Sequence, residues 1–224
     1  MKFLLSIVLM FAFLVAASAQ NEQSPIVEKD ITYKDWTYKG ITTGEGINLR
    51  ELAKGKKLVM VVYYAPWCPN WRHDAPIVQR LYDKYKGEGL GVVAVGEYDP
   101  LSAMKTNLES LKVTFPAVYE SELRTDKQKT THYAYRKSTG DNRNWGSPWY
   151  IFLEPGKFDK NSDVLATRAN IVNGELIEAE GETFIRARLG LISEKLGKDT
   201  AQAVTTEVCD PAKPSSKLKT PIVH

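Results

Sequence analysis

Two cysteines occur in this 224-residue chain, Cys68 and Cys209. Cys68 stands where the apolar run Leu58-Val59-Met60-Val61-Val62-Tyr63-Tyr64 ends and a helical pattern, reaching about Lys86, begins. A sulfur at such a junction meets unpaired backbone N–H groups and the positive end of a helix dipole. Both favour thiolate over thiol, the form that attacks a disulfide. His73 is the nearest imidazole in sequence and could approach a metal with Cys68, but Cys68 is the one convincing soft ligand in this stretch. No metal is expected from this pattern. Cys209 lies in a Lys/Pro/Ser-rich tail. From Gly197 it is about a dozen residues away, a reach of up to roughly 35–40 Å, so closure on Cys68 as a resolving thiol is geometrically allowed beside the plainer reading of a capped tail thiol. Two cysteines make no disulfide framework.

The elements that must position these groups follow from the pattern. The run Leu58 to Tyr64 is β-branched, aromatic and unbroken, as in a strand buried on both faces. After Ala65-Pro66 the helix carries Ile77, Val78, Leu81, Tyr82 and Tyr85 at helical spacing, with Pro76 inside it as an expected kink and Gly87-Glu88-Gly89 as its stop. Leu90 to Val95 reads as a second buried strand, residues 101–112 as a helix, and Val113 to Tyr119 as a turn and short strand. This β–α–β–α–β order implies a parallel core with helices on its faces. Ahead of it, residues 20–30 read as a loose lead-in and Ile31 to Ile41 as one or two strands. Asn48 caps a helical turn, with Glu51 as its reciprocal partner.

Residues 120–147 are basic and aromatic with almost no aliphatics, and read as a polar surface insertion with a helical piece near Thr131 to Arg136. Trp149 to Leu153 re-enters the core as a strand behind Ser147-Pro148. Val164 to Val172 and Glu175 to Ala179 flank Asn173-Gly174, the pattern of a two-residue type I′ hairpin. A last helix is expected from Glu182 to Leu196, and residues 198–224 as a disordered tail.

Composition narrows the function. With 43% hydrophobic and 25% charged residues and a net charge of +3, this is an ordinary globular chain with no concentrated charge for nucleic acid. Lys2, the apolar run Phe3 to Ala16 and Ala17-Ser18-Ala19 form a secretory signal pattern cut after Ala19. The run is short for a membrane span. The expected mature protein is therefore periplasmic or secreted, begins near Gln20, and keeps no stable membrane association.

The strand–Trp67-Cys68-Pro69-Asn70-Trp71–helix junction resembles the thioredoxin superfamily, and within it the TlpA-like extracytoplasmic thiol–disulphide oxidoreductases, whose motif is W-C-x-x-C. Trp71 replaces the second cysteine. The resemblance runs from about Asp30 to Leu196 and implies an α/β fold, a thioredoxin-like three-layer sandwich with a central mixed sheet and helices on both faces, in one domain over residues 31–197. It implies cofactor-free exchange with protein thiols or disulfides. It also implies roles: Cys68 as nucleophile, Asp74 as the acidic residue that tunes it, and Pro148 as a cis-proline facing the sulfur. Trp67, Pro69, Asn70, Trp71, Ser147 and Trp149 would line a cleft for an extended peptide. With Trp71 in place of a thiol, an outside reductant or Cys209 must finish the cycle. The alternatives are a non-catalytic binding module on the same fold, and a peroxiredoxin-like peroxidase. Against the peroxidase, Ala65 stands where that class carries a threonine hydroxyl.

Overall fold

The computed structural model describes residues 22–192. Its strands are β1 (Gln23–Ser24), β2 (Val27–Lys34), β3 (Thr37–Gly40), β4 (Gly46–Asn48), β5 (Leu58–Tyr64), β6 (Leu90–Gly96), β7 (Ala117–Tyr119), β8 (Trp149–Leu153), β9 (Val164–Val172) and β10 (Glu175–Leu176). Its helices are α1 (Leu49–Leu52), α2 (Pro69–Tyr85), α3 (Leu101–Ser110), α4 (Thr131–Ser138) and α5 (Glu178–Arg188). Eight strands form one mixed sheet in the order β2-β9-β8-β5-β6-β7-β3-β4, and β1 pairs with β10 in a separate two-stranded ribbon.

β5 is the axis of the molecule. It runs parallel to β6 and antiparallel to β8, and all seven of its residues are buried. Successive side chains of a strand point to opposite faces. Leu58, Met60, Val62 and Tyr64 therefore pack with α2, α3 and α5, while Val59, Val61 and Tyr63 pack with α1 and α4 on the other side. Two hydrophobic layers on one sheet make the three-layer α/β sandwich that the order of elements implies.

Helix α2 starts at Pro69, the first helical position, where a missing N–H costs nothing, and continues on both sides of Pro76. It buries Trp71, Ala75, Ile77, Val78 and Leu81. Asn48 caps α1 by accepting from the Glu51 backbone N–H at 3.0 Å. The Glu51 carboxylate pairs with Lys54, one turn on, rather than closing the reciprocal box.

Three local expectations are corrected. Residues 23–30 are no loose lead-in: β1 and the first half of β2 are paired strands there. An edge strand needs only backbone hydrogen bonds, so its polar composition hides it. Asn173-Gly174 does not join a hairpin. β9 already has β8 on one side and β2 on the other, so no edge is left for a returning strand, and β10 pairs in parallel with β1 instead. Gly174 answers a close approach, since a Cβ there would lie 2.1 Å from the Glu22 carbonyl oxygen. Helix α5 begins at Glu178 and ends at Arg188, short of Leu196. Leu191 N donates to Arg186 O and Gly190 N to Ala187 O, a bond pattern that closes a helix.

Residues 120–147 are not a solvated excursion either. His132, Arg136, Thr139 and Asp141 are buried. This segment fills space against the sheet with rings and paired charges, which an aliphatic count cannot register.

Candidate functional site

Cys68 is the N-cap of α2, with extended backbone angles and no side-chain cap hydrogen bond. Its own N–H donates to the Ala65 carbonyl at 3.0 Å, which fixes the turn out of β5. The sulfur is fully buried and lies 3.1 Å from the carbonyl oxygen of Ser147. Ser147 and Pro148 are joined by a cis peptide bond, and Ser147 Oγ accepts from the Ala65 N–H at 2.9 Å. The two segments the sequence singles out, 65–68 and 147–148, are thus bonded to each other directly.

What holds the second segment in place comes from the interior of residues 120–147. His132 Nε2 lies 3.2 Å from the Gly146 carbonyl, which can only accept, so this nitrogen carries the proton. Nδ1 then accepts from the Tyr98 hydroxyl at 3.0 Å. The ring stacks on Tyr63 with centroids 4.9 Å apart. Burial, with the Arg136 and Arg143 charges nearby, holds the imidazole well below its usual pKa, so it is neutral. Arg143 donates to the Pro148 carbonyl at 3.1 Å and pairs with Asp141 at 2.8 Å and Glu22 at 3.3 Å. Buried Arg136 pairs with the same Asp141 at 3.2 Å and donates to the Arg143 carbonyl at 3.0 Å. Burial alone would push the Asp141 carboxyl up. The two guanidinium groups outweigh it and hold the carboxyl below the ordinary range. Position 146 must be glycine, with φ at +59° and a Cβ that would sit 1.7 Å from Arg136.

The other expected cleft residues divide. Trp67 is half-buried, meets Trp145 edge-on at 5.2 Å, and has the Arg124 guanidinium 5.4 Å from its ring centre. Its indole nitrogen is buried without a hydrogen-bond partner among the described residues. Pro69 is exposed beside the sulfur, and Asn70 is buried, donating to Glu22 at 3.0 Å. Two tryptophans are corrected. Trp71 lines no open cleft: it is fully buried, tilted against Tyr64 at 4.6 Å, and its indole N–H donates to Asn107 at 2.9 Å. The helix turn that would present a second cysteine therefore presents an inward-facing indole. Trp149 is buried on the opposite face of the sheet with Tyr63 and His132, and donates to Asn173 at 2.8 Å. Strand alternation points Trp149 away from α2 and Tyr150 toward it.

Asp74 is fully buried, and one of its oxygens accepts from both the Tyr150 hydroxyl at 2.5 Å and the Leu176 N–H at 2.8 Å. Burial pushes its carboxyl up to about 7, against the downward pull of those two bonds. Sequence reasoning missed two further buried acids, of which only Glu175 lies beside Asp74. Glu175 is buried and pushed up to about 7 by that burial and by Glu22. Glu97 follows β6, is fully buried, faces Glu120, and is pushed well up by burial and by that neighbour. The polarity of Glu97 directly behind an all-apolar strand is the one signal that could have flagged it. Cys209 lies outside the described residues.

Comparison with known proteins gives a consistent picture. The model of the AhpC/TSA family matches residues 30–141, half of the chain, across the strand–cysteine–helix junction. The chain is 31% identical over 80 residues to the thiol-disulfide oxidoreductase ResA of Halalkalibacterium halodurans, which covers 36% of this chain and 44% of that protein. It is 32% identical over 81 residues to ResA of Bacillus subtilis, with 36% and 44% covered. The match thus spans less than half the length of these relatives. Among solved structures, a thiol:disulfide interchange protein of Chlorobium tepidum superposes with a TM-score of 0.53 at 16% identity, covering 72% of this chain and 98% of that one. A thiol:disulfide interchange protein from a Bacteroides species gives 0.51 at 16%, covering 78% and 94%. At these identities the superpositions speak for the fold. A β5–Cys68–α2 junction facing Ser147-Pro148, a family model laid across that junction and a sheet shared with interchange proteins agree: the chain belongs to the AhpC/TSA family and has a thioredoxin-like fold.

Proposed function

We propose that this is an exported thiol–disulphide exchange protein that works through one active-site sulfur, Cys68, on protein substrates. The observation that carries the reading is the seat of that sulfur. It stands at the N-cap of a 17-residue helix, and it faces the carbonyl that precedes Pro148. Helix-end amides stabilise a thiolate there. The thiolate attacks one sulfur of a substrate disulfide. That S–S bond breaks, a mixed disulfide forms on Cys68, and the departing thiolate takes a proton. A second thiol then attacks the mixed disulfide, releasing the substrate as a thiol and ending in a new disulfide, so two electrons move in all. Trp71 is buried and carries no sulfur, so this second thiol is Cys209 or an external reductant. Asp74, held beneath the helix by Tyr150 and Leu176, fixes the packing of α2 on β8 and β10. No cofactor enters the cycle. Export rests on the Lys2–Ala19 pattern, which lies outside the described residues; N-terminal sequencing of the exported protein should begin at Gln20.

The bulky Trp71, buried where the W-C-x-x-C motif has its second cysteine, favours a second reading, a binding module in which the sulfur is inert. One experiment separates the two. The reduced protein is incubated at pH 7 with oxidised glutathione or a disulfide-bonded protein, quenched with N-ethylmaleimide and mapped by mass spectrometry. Exchange predicts a mixed disulfide on Cys68 that is absent from Cys68→Ser and persists longer in Cys209→Ser. If the folded protein gives no Cys68 adduct in hours while the urea-unfolded chain gives one readily, the module reading stands.

A further inference from the structure

Away from the sulfur, three side chains from two distant parts of the chain converge in a way that exchange chemistry does not require. His73 and Asp74 are neighbours on α2, and Glu175 opens β10, which packs across that helix. His73 Nδ1 lies 2.9 Å from Glu175 Oε2 and 3.9 Å from Asp74 Oδ1. One ligand atom from each of the three falls within 4.8 Å of the other two.

The second observation concerns what these atoms lack. Among the described residues Asp74 Oδ1 and Glu175 Oε2 have no hydrogen-bond partner, although the two side chains are only 0% and 2% exposed. The His73–Glu175 approach is close but not aligned as a hydrogen bond. The other oxygen of Asp74 is occupied by Tyr150 and Leu176, and those two bonds hold the carboxylate so that Oδ1 is left toward His73. A buried carboxylate oxygen without a donor is costly, and two of them side by side are costlier still. An ion between them would satisfy both.

We propose that His73, Asp74 and Glu175 form a binding site for a divalent transition-metal ion of the zinc class. One imidazole nitrogen and two carboxylate oxygens suit Zn²⁺, Co²⁺ or Mn²⁺. The absence of sulfur from the set disfavours Cu⁺, and the imidazole disfavours Ca²⁺ and Mg²⁺. Ligands at 2.0–2.2 Å from such an ion stand about 3–3.5 Å apart. The His73–Glu175 pair already has nearly that spacing, and the 48% exposed His73 ring is free to turn in and close the rest. The same exposure leaves the remaining coordination positions to water. The site does not depend on the exchange reading, and Cys68 is not one of its ligands.

The test uses the untagged full-length protein titrated with Co²⁺, read by its visible d–d absorption, and with Zn²⁺ in competition with a chromogenic chelator. One ion per chain is expected, with unchanged affinity in Cys68→Ala and His224→Ala. His73→Ala should weaken binding at least tenfold and Glu175→Gln comparably. The half-exposed His73 can be truncated without unfolding the chain, as circular dichroism will verify, so the result does not hang on a buried substitution. Binding by His73→Ala within twofold of the parent, loss of binding in Cys68→Ala or His224→Ala, or no binding by the parent would each overturn the site.

Discussion

Restoring the missing cysteine should cost this protein much of its stability. Trp71 occupies the place of a second active-site thiol, yet its indole is wholly inside the layer between α2 and the sheet, against Tyr64 and bonded to Asn107. Trp71→Cys removes most of a buried indole. Truncating a buried tryptophan typically costs about 3–5 kcal/mol. It also strips the donor from Asn107 Oδ1, whose amide is otherwise tied to the Pro66 carbonyl at 3.1 Å. An acceptor left unpaired in the interior adds about 1–3 kcal/mol. Trp71→Phe separates the two effects, because it keeps most of the volume and loses only the N–H, so it should cost about 1–3 kcal/mol. The assay is urea unfolding of all three proteins at pH 7 under reducing conditions, so that no new disulfide contributes, with slopes compared to check that the unfolded states match. For a domain of this size, a loss of 4 kcal/mol lowers the melting temperature by roughly 8–16 °C. If Trp71→Cys unfolds within about 1 kcal/mol of the parent, the indole is not part of the core and its inward placement is wrong.

Three further outcomes follow from the segment that holds Ser147 and Pro148. Gly146→Ala puts a methyl group into the Arg136 guanidinium at a positive φ and should cost at least about 3 kcal/mol by breaking a buried ion pair. Gly140→Ala, also at positive φ but with open space around it, should cost only about 1–2 kcal/mol in the same urea titration. His132 should stay neutral in the folded protein, so its ring resonances should not move between pH 8 and pH 5 in an NMR titration. The unfolded chain takes up that proton below about pH 6.5 while the folded chain does not, so the contribution is present above that pH and lost as pH falls. The stability gap between the parent and His132→Gln should therefore shrink on acidification, by up to about 1.4 kcal/mol per pH unit.

Burial on both faces is what made the centre of the fold readable. β5 and β6 carry apolar side chains in both directions, so each appears in the sequence as an unbroken run, and the cysteine at the end of the first is placed by that run alone. Pattern fails where a strand's neighbours decide its partner. Asn173-Gly174 looks like a hairpin turn because its flanks alternate, but the flanking strand β9 has both edges taken, and no local property of residues 164–179 records that. Parity could have rescued one misplaced residue. Tyr150 and Phe152 belong to the α2 side of β8, so Trp149, one residue earlier, must face away from the sulfur. Nothing comparable was available for Trp71, since a helix turn next to the N-cap can present a side chain inward or outward with the same sequence. The convergence of Glu175 on His73 was likewise invisible, being a product of how β10 crosses α2.

Residues 120–147 show why composition misjudged the part of the chain that matters most to the sulfur. A segment rich in Arg, Lys, His and Tyr reads as surface because each such group is expensive to bury alone. Here they are not alone. Asp141 is shared by Arg136 and Arg143, Arg143 passes on to Glu22 and to the Pro148 carbonyl, and His132 is bonded at both ring nitrogens. Each charge is tolerable only in the presence of the others, so the network has one arrangement, and that arrangement sets the height of Gly146, Ser147 and Pro148 above Cys68. Breaking one member should therefore disturb the sulfur more than the distance between them suggests. Arg143→Lys keeps the charge but gives up the forked geometry that reaches Asp141, Glu22 and Pro148 together. It should change the rate at which Cys68 forms a mixed disulfide with oxidised glutathione by severalfold, while the equally conservative Lys129→Arg, at an exposed lysine of the same segment paired with Asp126, should leave that rate within twofold. Equal rates for the two variants would mean that the carbonyl facing the sulfur is held by the sheet alone, and that the buried charges serve only the fold.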